Sequence, residues 1–95
     1  MRMGPLAESD PREIGGFLLK GRLGAGGMGR VYFGVSSAGE PVAVKVINDG
    51  LLDDPNTRRR FAAEVRALKT VFGPHVAALV AADPMAPRPW LAVEY

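Results

Sequence analysis

Apolar residues along this 95-residue chain follow two rhythms. Phe17-Leu18-Leu19-Lys20-Gly21-Arg22-Leu23 is a short apolar run, Val31, Phe33 and Val35 alternate, and Val42-Ala43-Val44-Lys45-Val46-Ile47 is a second run. Alternation with period two puts successive side chains on opposite faces of a strand, so these segments predict three strands, the first two joined by a glycine loop. Ser36-Ser37-Ala38-Gly39 before Pro41 supplies the next turn. The spacing then changes: Phe61, Val65, Leu68 and Phe72 stand at i, i+4, i+7 and i+11, the stripe of an amphipathic helix. Asp54-Pro55 starts that helix, with Asp54 as N-cap and Pro55 at the first helical position, where a missing N–H costs nothing. Gly73-Pro74 stops it, so the helix is expected over about 55–72. Residues 76–82 and 90–93 are two further strand candidates around the proline-rich turn 84–89, although the alanines of 77–82 leave helix open on propensity. Five strands and one helix result.

Residues 1–13 are rich in Pro, Asp, Glu and Gly without an apolar period and read as a flexible lead-in, leaving 14–95 as one small domain. At this length folding buries only about two-thirds of the surface that the unfolded chain exposes, so stability is expected to be marginal. The net charge of +2 is interspersed with acidic residues and makes no case for nucleic acid. With no cysteine there is no disulfide, thiolate metal site or cysteine nucleophile, and the single His75 makes a histidine metal site equally unsupported; no metal ligands are assigned. No run approaches the apolar length of a signal peptide or a membrane span, and a cytoplasmic location is expected.

The chemistry concentrates in Gly24-Ala25-Gly26-Gly27-Met28-Gly29-Arg30-Val31 and in Lys45 at the end of Val42-Ala43-Val44-Lys45. Glycines at the first, third and sixth positions let backbone N–H groups approach a polyphosphate, because no side chain blocks the way and φ can turn positive. The lysine adds positive charge. A dinucleotide-binding loop is the main rival: it needs a helix opening at the loop and an acidic residue about twenty positions on, and Asp49 lies near that spacing. However, residues 30–35 alternate like a strand, and Gly34, Gly39 and Pro41 would break a helix. A Walker loop is excluded, since no Gly-Lys-Ser or Gly-Lys-Thr follows. A ligand-free glycine turn stays open. Glu64 lies at the edge of the helix's apolar stripe, where a carboxylate needs water or a cation; a solvated glutamate is the plain alternative to a pairing. Arg58-Arg59-Arg60 reads as a solvated basic face, though guanidinium groups also suit an acidic or phosphorylated partner.

The glycine loop followed by Val42-Ala43-Val44-Lys45 resembles the N-terminal lobe of a protein kinase, and the wording from Arg22-Leu23 to Val31-Tyr32-Phe33-Gly34 looks most like the bacterial serine/threonine kinases of eukaryotic type. The resemblance runs from about residue 17 to 95. It implies an α+β fold: a five-stranded antiparallel sheet with one helix of the αC type. It implies an ATP site in which the backbone from Gly24 to Gly29 cradles phosphates and Lys45 holds them, oriented by an ion pair with Glu64. Leu23, Val31 and Ala43 would line the adenine pocket, with core packing as the plain alternative for the first two. Leu68 and Leu79 would join the stack between helix and sheet. Val93 would be the gatekeeper, and the backbone of Glu94 and Tyr95 would meet adenine. The catalytic loop with its base aspartate and the magnesium aspartate belong to a C-lobe that these residues do not contain, so Mg²⁺ and a protein substrate are expected only with that lobe. These 95 residues alone are accordingly expected to transfer no phosphate. Two alternatives accompany this reading. One is a non-catalytic module that binds nucleotide weakly or regulates a partner kinase through an exposed lobe surface; the other is a dinucleotide-binding domain.

Overall fold

The structure, a computed structural model, describes residues 3–26, 29–70 and 78–95. Among these residues six strands make one sheet: β1 (Glu13–Ile14), β2 (Phe17–Ala25), β3 (Gly29–Val35), β4 (Pro41–Ile47), β5 (Leu79–Asp83) and β6 (Trp90–Glu94). Their order is β1-β2-β3-β4-β6-β5, and each neighbouring pair is antiparallel. The helix α1 (Pro55–Thr70) lies between β4 and β5 in sequence, preceded by one 3-10 turn at Asp49–Leu51.

The sheet has one strand more than the five expected. Gly15 and Gly16 both take positive φ (57° and 88°), and Ile14 pairs with Phe17, so a two-residue turn of the kind that only glycine accommodates easily folds β1 onto β2. The alanine-rich segment is strand, with Leu79 opposite Val93 and Ala81 opposite Ala92. Cross-strand pairing against a fully buried neighbour outweighs alanine's helical preference there. The expected helix end at Phe72 and Gly73-Pro74, and the expected strand start at residue 76, lie outside the described residues.

The sheet separates two apolar layers. One face carries Phe17, Leu19, Tyr32, Val42, Val44, Val46 and Ala92, with Leu6, Ile14, Ala81 and Trp90 packed against them. The other layer joins Ile47 and Leu91 to Phe61 and Val65 of α1, with Leu68, Leu79 and Val93 at its margin. Phe61 and Val65 are essentially inaccessible to solvent, which is what the i, i+4 stripe requires. Asp54 caps the helix: its carboxylate accepts from the Asn56 N–H at 2.9 Å and the Thr57 hydroxyl at 3.1 Å, which holds its pKa below the ordinary value.

Residues 3–13 differ from the flexible lead-in expected of them, because they pack on the first layer. Gly4 and Arg22 exchange both backbone hydrogen bonds at 2.8 Å, and Asp10 is only 4% exposed. The physical reason is a polar network beneath β2 and β3 whose partners lie 12 to 22 residues away in sequence.

Candidate functional site

Strands β2 and β3 form the glycine hairpin. Gly24 stands opposite Val31 and Ala25 opposite Arg30, and the Gly26 N–H donates to the Gly29 carbonyl at 2.9 Å. Gly27 and Met28 lie outside the described residues. Gly24, Gly26 and Gly29 do not use positive φ; among the described residues the glycines that do are Gly15, Gly16 and Gly39. The three loop glycines serve through their missing side chains, and in two different ways. A Cβ on Gly29 would fall 2.0 Å from the Val46 carbonyl oxygen, so Gly29 is required by strand packing. Among the described residues a Cβ on Gly24 or Gly26 would meet nothing within 4 Å, so the backbone there borders open space.

Next to this edge β4 places Lys45 opposite Val31. Its ammonium donates to both oxygens of Glu64 at 3.0 Å. Glu64 reaches it because Phe61 and Val65, on either side of it in α1, anchor the helix against the sheet. The two side chains are 27% and 36% exposed, so the pair sits at the surface rather than in the core. An ammonium fixed by a carboxylate beside an unobstructed backbone edge suits a phosphate-bearing ligand.

Ala43, two residues before Lys45 and so on the same side of β4, stands between Phe33 and Val93 in the ladder. Val31, Ala43 and Val93 are half-buried on this face, and Leu23 is buried. Three expected residues have a group engaged elsewhere. The guanidinium of Arg30 donates to Asp10 at 3.3 Å on the opposite face, because alternation along β3 turns it away from its neighbour Val31. The Glu94 N–H donates to the Ala78 carbonyl at 2.9 Å and the Tyr95 N–H to the Pro41 carbonyl at 3.4 Å, so neither amide is offered to a ligand. The Tyr95 ring packs edge-on against Phe33, with centroids 5.3 Å apart.

Two groups escaped the sequence reading. Arg58 is bound inward rather than solvated: it donates to the carbonyls of Leu52 at 2.5 Å, Pro87 at 2.8 Å and Ala86 at 3.4 Å, tying α1 to the β5–β6 turn. Asp10 lies under the glycine hairpin. Hydrogen bonds from Arg22, with those from the Ala7 N–H and the Tyr32 hydroxyl, hold its carboxyl well below the usual carboxylate range against the opposing effect of burial. Gly15-Gly16 is a recognisable signal for the hairpin that joins β1 to β2, the strand missing from the expected five.

An antiparallel sheet with a glycine hairpin at one end, and a single helix whose glutamate meets a lysine of the third long strand, is the architecture of a protein-kinase N-terminal lobe. By sequence the chain is similar to bacterial serine/threonine protein kinases. It is 50% identical over 90 residues to the serine/threonine-protein kinase AfsK of Streptomyces coelicolor, covering 95% of this chain and 11% of that protein. It is 48% identical over 91 residues to the probable serine/threonine-protein kinase PkwA of Thermomonospora curvata, covering 96% and 12%. Among solved structures, a kinase domain of Mycobacterium tuberculosis PknI superposes with a TM-score of 0.69 at 25% identity, over 95% of this chain and 37% of that one. No family model matches the chain. The chain thus spans about a tenth of the length of the curated relatives it matches. Among the described residues no helix is long and apolar enough to cross a membrane.

Proposed function

We propose that this chain supplies the ATP-binding lobe of a serine/threonine protein kinase, residues 14–95 forming the lobe itself. The observation that carries the reading is the Lys45–Glu64 pair standing beside the glycine hairpin. The fit to a nucleotide is supported by the open space at Gly24 and Gly26, where even a methyl group would narrow the approach to the backbone. Bound ATP would bring the γ-phosphoryl group that is transferred to a protein hydroxyl.

The lobe's own contribution is positioning and charge, which dominate catalysis of phosphoryl transfer. The backbone at Gly24 and Gly26 admits the phosphates closely, Lys45 holds positive charge against them, and Glu64 keeps the lysine from wandering among its rotamers. Leu23, Val31, Ala43 and Val93 form apolar walls for a flat ring. These residues contain neither a base for the substrate hydroxyl nor the acidic ligands of Mg²⁺, which the reading places in a C-lobe outside them. A non-catalytic regulatory role is an outcome of the same test rather than a separate reading. A dinucleotide fold is not compatible with the strand, rather than a helix, that follows the loop at Gly29–Val35.

Calorimetric titration of the full-length protein with ATP tests the reading. Binding that weakens in Lys45→Met and, to a smaller degree, in Glu64→Gln is expected; affinity unchanged in Lys45→Met would overturn it.

A further inference from the structure

The most heavily engaged polar side chain among the described residues lies away from the face that carries Lys45. The Asp10 side chain is fully buried. It accepts from the Ala7 N–H at 2.8 Å, from Arg22 Nε at 2.6 Å and Nη2 at 2.8 Å, from Arg30 Nη1 at 3.3 Å and from the Tyr32 hydroxyl at 2.9 Å. Arg22 stands two residues before Gly24, and Arg30 directly follows Gly29. One carboxylate therefore grips the strand that enters the glycine turn and the strand that leaves it.

The grip sits past the end of the β1 pairing. β1 pairs with β2 at Phe17 and Leu18, and the Leu19 N–H donates to the Arg12 carbonyl at 2.9 Å; beyond that bond the outer edge of β2 has no neighbouring strand among the described residues. At Arg22 that edge is taken instead by Gly4, through an isolated bridge with two hydrogen bonds. The β2–β3 register then shifts between Arg22 and Gly24, immediately past the grip. β2 is shaped for the crossing segment: a Cβ on Gly21 would lie 2.7 Å from the Met3 side chain and 2.8 Å from the Gly4 carbonyl oxygen. Leu6 adds an apolar contact to the same layer. Hydrogen bonds to a buried charge are directional and stronger than neutral ones, so such a carboxylate fixes the relative position of the groups it joins.

We propose that residues 3–10 form a strap that positions the glycine hairpin from behind, with Asp10 as the positioning residue that sets where the Gly24–Gly26 edge meets the phosphates of a nucleotide. The proposal rests on the nucleotide reading above. It assigns Asp10 its main effect on the phosphate end of the ligand, since two of the four ring walls, Ala43 and Val93, are carried by β4 and β6, which the strap's hydrogen bonds do not reach, while Leu23 and Val31 adjoin the gripped Arg22 and Arg30.

The test compares ATP with adenosine, which lacks phosphates, as ligands of the full-length protein in wild type, Asp10→Asn, Asp10→Glu and Lys45→Met. Asp10→Asn is expected to bind ATP about five- to tenfold more weakly, a size usual for coupling between separate sites, with adenosine affinity far less affected. Asp10→Glu, which keeps the charge, should recover part of the loss. A merely structural role would lower affinity for both ligands together; that result, or undiminished ATP binding in Asp10→Asn, overturns the proposal. Should Asp10→Asn fail to fold, Tyr32→Phe, which deletes one hydrogen bond of the grip and keeps the ring, is judged by the same criterion with a smaller expected loss. Failure of the nucleotide reading is distinguishable, because wild type would then show no preference for ATP over adenosine and Lys45→Met no effect.

Discussion

Substituting alanine at each loop glycine should separate two roles that the motif superimposes. On Gly29 the new Cβ would lie 2.0 Å from the Val46 carbonyl oxygen and 3.0 Å from its carbonyl carbon. Such contacts are tolerated at no less than about 3 Å, so β3 and β4 must part by about 1 Å at a point where they are paired, Arg30 to Val46 and Gly29 to Ile47. The atoms that must yield are backbone, not the end of a flexible side chain, and overpacking of this kind costs about 1–3 kcal/mol. For a domain of 60–100 residues that lowers Tm by about 4–8 °C per kcal/mol. Because Val46 follows Lys45, the same displacement moves the lysine, and nucleotide affinity should fall with stability. Gly24→Ala and Gly26→Ala meet no neighbour among the described residues and should keep stability within about 0.5 kcal/mol of wild type. On the proposed nucleotide reading they should still weaken ATP, because the methyl group would narrow the edge assigned to the phosphates, and leave adenosine unaffected. Calorimetric melting together with ATP and adenosine titrations of the three variants provides the assay. A Gly29→Ala protein as stable as wild type, or Gly24→Ala as destabilised as Gly29→Ala, would refute the reasoning.

Three further outcomes are expected. Phe61→Ala removes the inaccessible anchor of α1 and should cost about 3–5 kcal/mol in urea unfolding, the usual range for a buried aromatic. Asp10 carries a folded-state pKa depressed below its ordinary 3.8, so its contribution to stability is present above that value and is lost as pH falls through and below it. Wild type should therefore lose stability more steeply below about pH 4 than Asp10→Asn, whose amide does not titrate there; parallel curves would show that the network stabilises nothing. Arg58→Ala frees the carbonyls of Leu52, Ala86 and Pro87 and loosens α1 from the β5–β6 turn. It should lower both Tm and ATP affinity, the latter through Glu64, and Arg58→Lys should not restore them because an ammonium cannot span three carbonyls as the planar guanidinium does.

Much of this fold was legible because its signals are local. The period-two runs of β2, β3 and β4, the 3.6-residue stripe through Phe61 and Val65, and the Asp54-Pro55 start each declare themselves within a few residues. The Lys45–Glu64 contact was foreseen only with the help of a family resemblance, since helix pattern alone leaves Glu64 equally suited to water. What escaped was non-local or depended on competition. Asp10 looks like any loop carboxylate until the fold brings Arg22, Arg30 and Tyr32 beneath it. Arg58 looks like one of three solvated arginines until the turn at Ala86 and Pro87 closes over it. Arg30 counted with the loop by sequence, but strand alternation sends its side chain to the other face. The glycines were legible as a motif and not as separate roles, because only packing against Val46 distinguishes Gly29 from Gly24 and Gly26.

The central claim, that the glycine hairpin with Lys45 and Glu64 forms the nucleotide site of a phosphotransferase, is met most directly by phosphoryl transfer from radiolabelled ATP. Full-length protein with Mg²⁺ should label itself or a supplied protein on serine or threonine, and Lys45→Met, melting at the same temperature as wild type, should reduce the rate about a hundredfold or more. Equal rates in the two proteins, or no transfer and no ATP binding by wild type, would contradict it.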